Sequence, residues 1–149
     1  HGVDYLFITR EEFLSRRAAN GFLETATVHD EFYGTPREPA ERAMAEGRDF
    51  LLDIDPQGGV QVMESVPEAV SVFLLPPSWA ALEARLRGRG TETEEKIQKR
   101  LHNARQEVKY LPRYDYCIVN DDLDEAWREL RGIVRAERLS TKRFLPELD

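Results

Sequence analysis

The sequence predicts an α/β fold built on a mainly parallel sheet, and three observations carry that expectation. Short apolar runs at residues 49–54, 70–75 and 114–119 each end in polar residues or proline, the pattern of strands buried on both faces. Segments with helical spacing of their apolar residues lie between these runs. The chain has 149 residues, 41% of them hydrophobic, enough for one domain with its own core.

Taken in order, Thr9-Arg10-Glu11-Glu12 has the form of a capping box and opens a helix over residues 10–20, with Gly21 as its stop. Thr35-Pro36-Arg37-Glu38 is a second box; with Thr35 as the cap, Pro36 at the first helical position and Gly47 past the end, it predicts a helix over 36–46. The strand at 49–54 is followed by a helix at 57–65. The strand at 70–75 is closed by Pro76-Pro77, and Ser78 caps a helix that runs to residue 87. A helix over 93–110 leads to the strand at 114–119, and Asp122 caps a last helix reaching about residue 139. Ligands of such sheets gather at the carboxyl ends of the strands, where Asp53, Asp55, Pro76 and Asn120 fall, although Asp and Asn are also ordinary loop starters.

Composition narrows the function. With 21 basic against 28 acidic residues the formal charge is −7, which argues against a general nucleic-acid binder. No apolar stretch approaches the ~20 residues of a membrane span, and no secretory signal is legible. The lone Cys117 excludes an internal disulfide or a zinc scaffold, fits a reducing, cytoplasmic setting, and reads as a small buried hydrophobe. Trp79 and Trp127 read as packing residues on helix faces, and His1, His29 and His102 share no pattern with acids or cysteines. Nine basic and only four acidic residues fall between positions 84 and 113, so this acidic chain concentrates its arginines in one stretch. That stretch is either aimed at a local anion or is a solvated helical face with paired charges. The chain opens on His1 rather than methionine, as a piece of something longer would.

Several segments together resemble guanylate kinase. They are Gly2-Val3-Asp4-Tyr5-x-Phe7, Gly21-Phe22-Leu23-Glu24, Phe32-Tyr33-Gly34-Thr35-Pro36, Leu52-Asp53-Ile54-Asp55-x-Gln57-Gly58, Pro76-Pro77-Ser78, Leu82-x-x-Arg85-Leu86-x-x-Arg89-Gly90-Thr91-Glu92-Thr93-Glu94-Glu95, Lys99-Arg100-Leu101 and Val119-Asn120-Asp121-Asp122. The resemblance runs from Gly2 to about Arg138 and keeps the family's order. It implies a P-loop-type parallel sheet with inserted GMP-binding and lid subdomains. In those terms residues 1–40 are part of the GMP-binding subdomain, 41–83 and 114–149 part of the α/β core, and 84–113 the arginine-rich lid. The first core strand and the glycine-rich phosphate loop of such kinases do not occur in this chain, so the expectation is a fragment that folds poorly by itself. Thr25, Asp30-Glu31-Phe32 and Pro56 depart from the family's usual residues beside the binding positions without replacing those positions.

The resemblance implies ATP-dependent phosphorylation of GMP, with Mg²⁺. Guanine presents two adjacent donors, N1–H and the exocyclic amine, beside an acceptor at O6, which a fixed carboxylate and a hydroxyl complement. By the resemblance Glu24 is that carboxylate, Thr35 the hydroxyl, and Asp55 helps hold the amine. Tyr5 and Tyr33 would donate to the GMP phosphate, with Gly34 beside them. Arg85, Arg89 and Arg100 would neutralise the transferring phosphoryl group. Asp53 would hold Mg²⁺ through water, and Asn120 and Asp121 would contact the adenine of ATP. No nucleic-acid or membrane partner is expected.

Two other readings compete. A guanylate-kinase-like interaction module would keep the fold without catalysis, and a related phosphotransferase would act on a sugar phosphate. Joint retention of Glu24, Tyr33, Thr35, Asp53, Asp55, Arg85, Arg89 and Arg100 argues against the first, and the pairing of Glu24 with Thr35 against the second.

Overall fold

The computed structural model describes residues 5–28, 31–88, 90 and 92–143. Of the residues singled out above, His1, Gly2, Val3, Asp4, His29, Asp30, Arg89 and Thr91 lie outside that set. The chain divides into two compact units, His1–Ala69 and Val70–Asp149.

The first unit contains α1 (Arg10–Ala18), β1 (Phe22–Val28), β2 (Glu31–Pro36), α2 (Arg37–Ala45) and α3 (Pro56–Ser65). Thr9 caps α1 as expected, its Oγ1 accepting from the Glu12 amide at 3.1 Å. The helix stops two residues early, and the left-handed residue that turns the chain is Asn20 (φ 58°), not Gly21. Phe13, the buried residue of α1, stacks on Phe22 and Phe32 with ring centroids 4.7 and 5.0 Å apart, which fastens the helix to both strands.

β1 and β2 form an antiparallel ladder that sequence reasoning did not foresee, with Glu24 opposite Thr35 and Thr25 opposite Gly34. Gln61 of α3 closes the outer side of this ladder: its amide accepts from the Thr25 N–H and donates to the Thr25 carbonyl, both at 3.0 Å. Leu23, Ala40 and Val62 form the core here, with Leu52, Ile54, Val66 and Ala69 against it.

Two expectations are corrected in this unit. Thr35 is not a helix cap: it lies in β2, Pro36 occupies the cap position with no side-chain bond, and α2 starts at Arg37. A tertiary partner for the hydroxyl, Glu24, outcompetes the local box. Residues 49–54 form no strand, because no ladder partner stands beside them among the described residues. They alternate instead: Leu52 and Ile54 meet the core while Leu51 stays exposed.

The second unit contains β3 (Val72–Leu75), α4 (Trp79–Gly88), α5 (Glu94–Glu107), a 3₁₀ helix (Val108–Arg113), β4 (Tyr116–Val119) and α6 (Leu123–Arg138). β3 and β4 pair in parallel, Phe73 opposite Cys117, and the helices between them supply the crossover that parallel strands require. The two strands are locked at their starts: Asp115 Oδ2 accepts from the Ser71 amide (2.9 Å) and hydroxyl (2.7 Å), while the Ser71 hydroxyl accepts from the Asp115 amide (3.0 Å). Ser78 and Asp122 each cap as expected, and Thr93, expected as the first helical residue, is instead the cap of α5. Leu86, Ile97 and Leu101, with Leu82, join α4 to α5.

The far end of α6 is tied to β4 through Tyr116, whose hydroxyl donates to Glu137 at 2.6 Å; Arg143 Nε donates to the other oxygen at 2.9 Å. That bond to the carboxylate, with burial second, raises the Tyr116 phenol; the Tyr116 and Arg143 donors lower Glu137.

Here too sequence expectations need correction. Burial on both strand faces is not found: Phe73 and Ile118 are buried, but Leu74 and Val119 are more than half exposed. Two strands with helices of one unit beside them are not covered from both sides. Cys117 is exposed, not buried, because it alternates with Ile118 along β4. Trp79 and Trp127 lie at 41% and 55% exposure, so neither is a core residue; Arg105 covers the Trp79 ring at 5.5 Å.

Candidate active site

In the first unit the antiparallel register puts Glu24 and Thr35 on facing positions, and the Thr35 hydroxyl donates to Glu24 Oε1 at 2.7 Å. The second oxygen, Oε2, has no partner among the described residues; it lies 3.3 Å from where a side chain on Gly58 would begin. Asp55 Oδ1 lies 3.5 Å from the same point and accepts from the Gly58 amide at 2.8 Å, capping α3. Two carboxylates therefore approach the same buried glycine closely, an approach that a side chain at residue 58 would crowd. Such a cluster of acceptors complements a ligand edge that offers adjacent N–H donors.

Gly34, opposite Thr25, is required for close packing: a Cβ there would stand 2.9 Å from the Phe22 ring and 3.0 Å from the Glu24 carbonyl. Tyr5 and Tyr33 meet edge to face, with ring centroids 6.3 Å apart, and both are exposed. Neither phenol has a hydrogen-bond partner among the described residues, so both O–H groups are available to an anion. Asp53 is exposed and likewise unpartnered, and no three His, Cys, Asp or Glu side chains among the described residues converge on a metal-sized site.

In the second unit the arginines expected to act together are separately engaged. Arg85 donates from Nη1 to the Asn120 carbonyl (2.7 Å) and from Nη2 to the Asp121 carbonyl (3.1 Å). Arg100 donates to Glu92 Oε1 at 2.5 Å, while Glu92 Oε2 is buried without a partner among the described residues. Arg89 lies outside the described residues. Asn120 and Asp121 follow β4 directly, and the Asn120 amide N–H is held by the Leu75 carbonyl at 2.7 Å.

Three contributors had no role assigned from the sequence. Arg87 holds Glu83 on its own helix and both oxygens of Glu94 on α5, which closes the α4–α5 corner. This pairing raises the Arg87 guanidinium above its usual range and, chiefly through the Arg87 hydrogen bond, lowers Glu94 to about 2. The Glu83–Arg87 spacing was legible as an i,i+4 pair, but the reach to Glu94 was not. Gln61 and Gly58 act through contacts with β1, 36 and 34 positions away in sequence for Thr25 and Glu24, and no local signal announces them.

A family model described as guanylate kinase matches residues 1–137. The guanylate kinase of Hahella chejuensis is 50% identical over 138 residues, which are 93% of this chain and 66% of that protein. That of Mesorhizobium japonicum is 52% identical over 143 residues, 95% of this chain and 66% of the relative. The crystal structure of guanylate kinase from Anaplasma phagocytophilum superposes with a TM-score of 0.75 at 38% identity, covering 96% of this chain and 70% of that one. The chain thus spans about 66% of the length of the curated relatives just named. With the family model matched over nearly all its length, the chain belongs to the guanylate kinase family.

Proposed function

We propose that this chain carries the GMP-selecting and donor-side residues of an ATP:GMP phosphotransferase acting in the cytoplasm. The observation that supports this best is the Thr35–Glu24 hydrogen bond across the β1–β2 ladder. It fixes the carboxylate and leaves Oε2, without a partner among the described residues, to accept from guanine N1–H and the exocyclic amine. Asp55 Oδ2 takes the remaining amine proton. Adenine, with its donor and acceptor reversed on that edge, would set a lone pair against Glu24, a mismatch able to discriminate by orders of magnitude.

Tyr5 and Tyr33 donate to the GMP phosphate, whose oxygen attacks the terminal phosphorus of ATP as the bond from that phosphorus to the ADP oxygen breaks. Arg89 and Arg100 supply positive charge around the moving group, and Arg100 exchanges Glu92 for phosphate oxygens as it does so. Asn120 and Asp121 hold the donor base. Residues 1–40 form the acceptor side, 84–113 the lid, and 41–83 with 114–149 the supporting core. Mg²⁺ would supply charge neutralisation on the ATP phosphates; the exposed carboxylate of Asp53, without a partner among the described residues, fits an ion that is brought by the nucleotide and held through water.

The test is acceptor choice in the full-length protein. GMP is expected to be phosphorylated and AMP not, and Glu24→Ala is expected to weaken GMP far more than ATP. Equal use of AMP and GMP, or equal loss of both nucleotides in the variant, would overturn the reading.

A further inference from the structure

We infer that Arg85 is a positioning residue for the donor base: it shapes the loop after β4 and does not deliver charge to the transferring phosphate. This rests on the kinase reading and goes beyond it by separating Arg85 from the arginines of the lid. The geometry is specific. Arg85 lies on α4, and its two terminal nitrogens reach two successive backbone carbonyls, Asn120 at 2.7 Å and Asp121 at 3.1 Å. Successive carbonyls normally point apart in extended chain, so one planar fork can take both only when the loop is bent toward it.

The loop has two further ties, the Asn120 amide to the Leu75 carbonyl at 2.7 Å and the Asp121 amide to the Val119 carbonyl at 3.0 Å. With its first two amides and first two carbonyls engaged, the loop keeps the Asn120 side-chain amide free among the described residues. That amide offers a donor and an acceptor side by side, the complement of the N1 and N6 edge of adenine. Holding the backbone in place before the base arrives removes an ordering cost from binding, so the effect of Arg85 should be on donor affinity and not on the chemical step.

Two substitutions in the full-length protein separate this from a charge-supplying role. Arg85→Ala removes the fork; Arg85→Lys keeps the charge but replaces the fork with a single point donor that cannot span both carbonyls. Both are expected to raise KM for ATP by about tenfold, leaving KM for GMP and turnover at saturating ATP within about twofold. Both are also expected to speed hydrogen exchange at the Asn120 and Asp121 amides, a readout that needs no nucleotide.

Recovery of wild-type KM for ATP in Arg85→Lys would overturn the inference, as would a fall in turnover with KM for ATP unchanged, or unchanged exchange at both amides. Since Arg85 is exposed, neither change opens a cavity, and circular dichroism of the variants confirms that the helices are retained. If the unsubstituted protein phosphorylates nothing, the kinase reading fails and the ligand assigned to the loop fails with it. The exchange measurement still decides whether Arg85 shapes the loop.

Discussion

Thr35 and Glu24 face each other across an antiparallel ladder, and the threonine hydroxyl gives its proton to the carboxylate at 2.7 Å. The hydroxyl is thereby spent on orienting an acid, and on the proposed function the acid's other oxygen is left to choose the ligand. Thr35→Val keeps the shape and removes the donor. GMP affinity is expected to fall by about tenfold, equivalent to ~1.4 kcal/mol, with ATP affinity unchanged; calorimetric titration of both nucleotides checks it. An unchanged GMP affinity would mean that the ladder alone orients Glu24.

Gly58 offers a case in which stability and selection part company. A methyl group there would stand 3.3 Å from Glu24 Oε2 and 3.5 Å from Asp55 Oδ1, crowding both carboxylates, yet alanine favours the helix more than glycine does. Gly58→Ala is therefore expected to melt no lower than the parent while binding GMP about tenfold more weakly. Thermal melts and GMP titration on the same preparation decide it; a variant that binds GMP normally shows that the two carboxylates tolerate the methyl group.

Gln61 stands in for a neighbouring strand by serving both backbone groups of Thr25 at 3.0 Å. Gln61→Leu leaves a part-buried N–H and carbonyl unpaired. The expected loss is about 1–3 kcal/mol, read as a lower denaturation midpoint at unchanged slope. A loss within experimental error would show that water replaces the amide fully.

The Arg87–Glu94 clasp predicts an acid transition with a definite direction. Glu94 titrates at about 2 in the fold against an ordinary value of 4.5, so its stabilising effect is complete above about 4.5 and is lost as pH falls through about 2. Both side chains face solvent, which makes the effect small and salt-sensitive. The Tm difference between the parent and Glu94→Gln should shrink as pH drops below about 4.5 and narrow with added salt. A difference constant across that range would show that Glu94 acts through packing instead.

These residues also show where sequence was informative. Caps at Thr9, Ser78 and Asp122 were legible because each hydroxyl or carboxylate bonds an amide three positions on, within reach of a local pattern. Thr35 carried the same pattern and misled, because a residue 11 positions earlier took its hydroxyl. The β1–β2 ladder was missed since Phe22–Val28 lacks a two-residue turn signal such as Asn-Gly after it. Residues 49–54 were misread because an apolar run states a preference for burial, while a strand also needs a neighbour to bond. Glu24, Thr35, Asp55, Tyr5 and Tyr33 were named from the family motif alone; that Thr35 bonds Glu24, that Asp55 lies beside the same glycine and that Tyr5 meets Tyr33 came only with coordinates.

Arg87 fastens α5 to α4, and Arg85, half a helical turn earlier, fastens α4 to the chain after β4. A swing of the segment bearing Arg100 must then drag its neighbour along or first unclasp Glu94. On the proposed function, mechanical linkage of this kind makes the resting grip on one nucleotide sensitive to changes planted far along the other helix, so substitutions near Glu94 deserve to be assayed for donor affinity as well as for turnover.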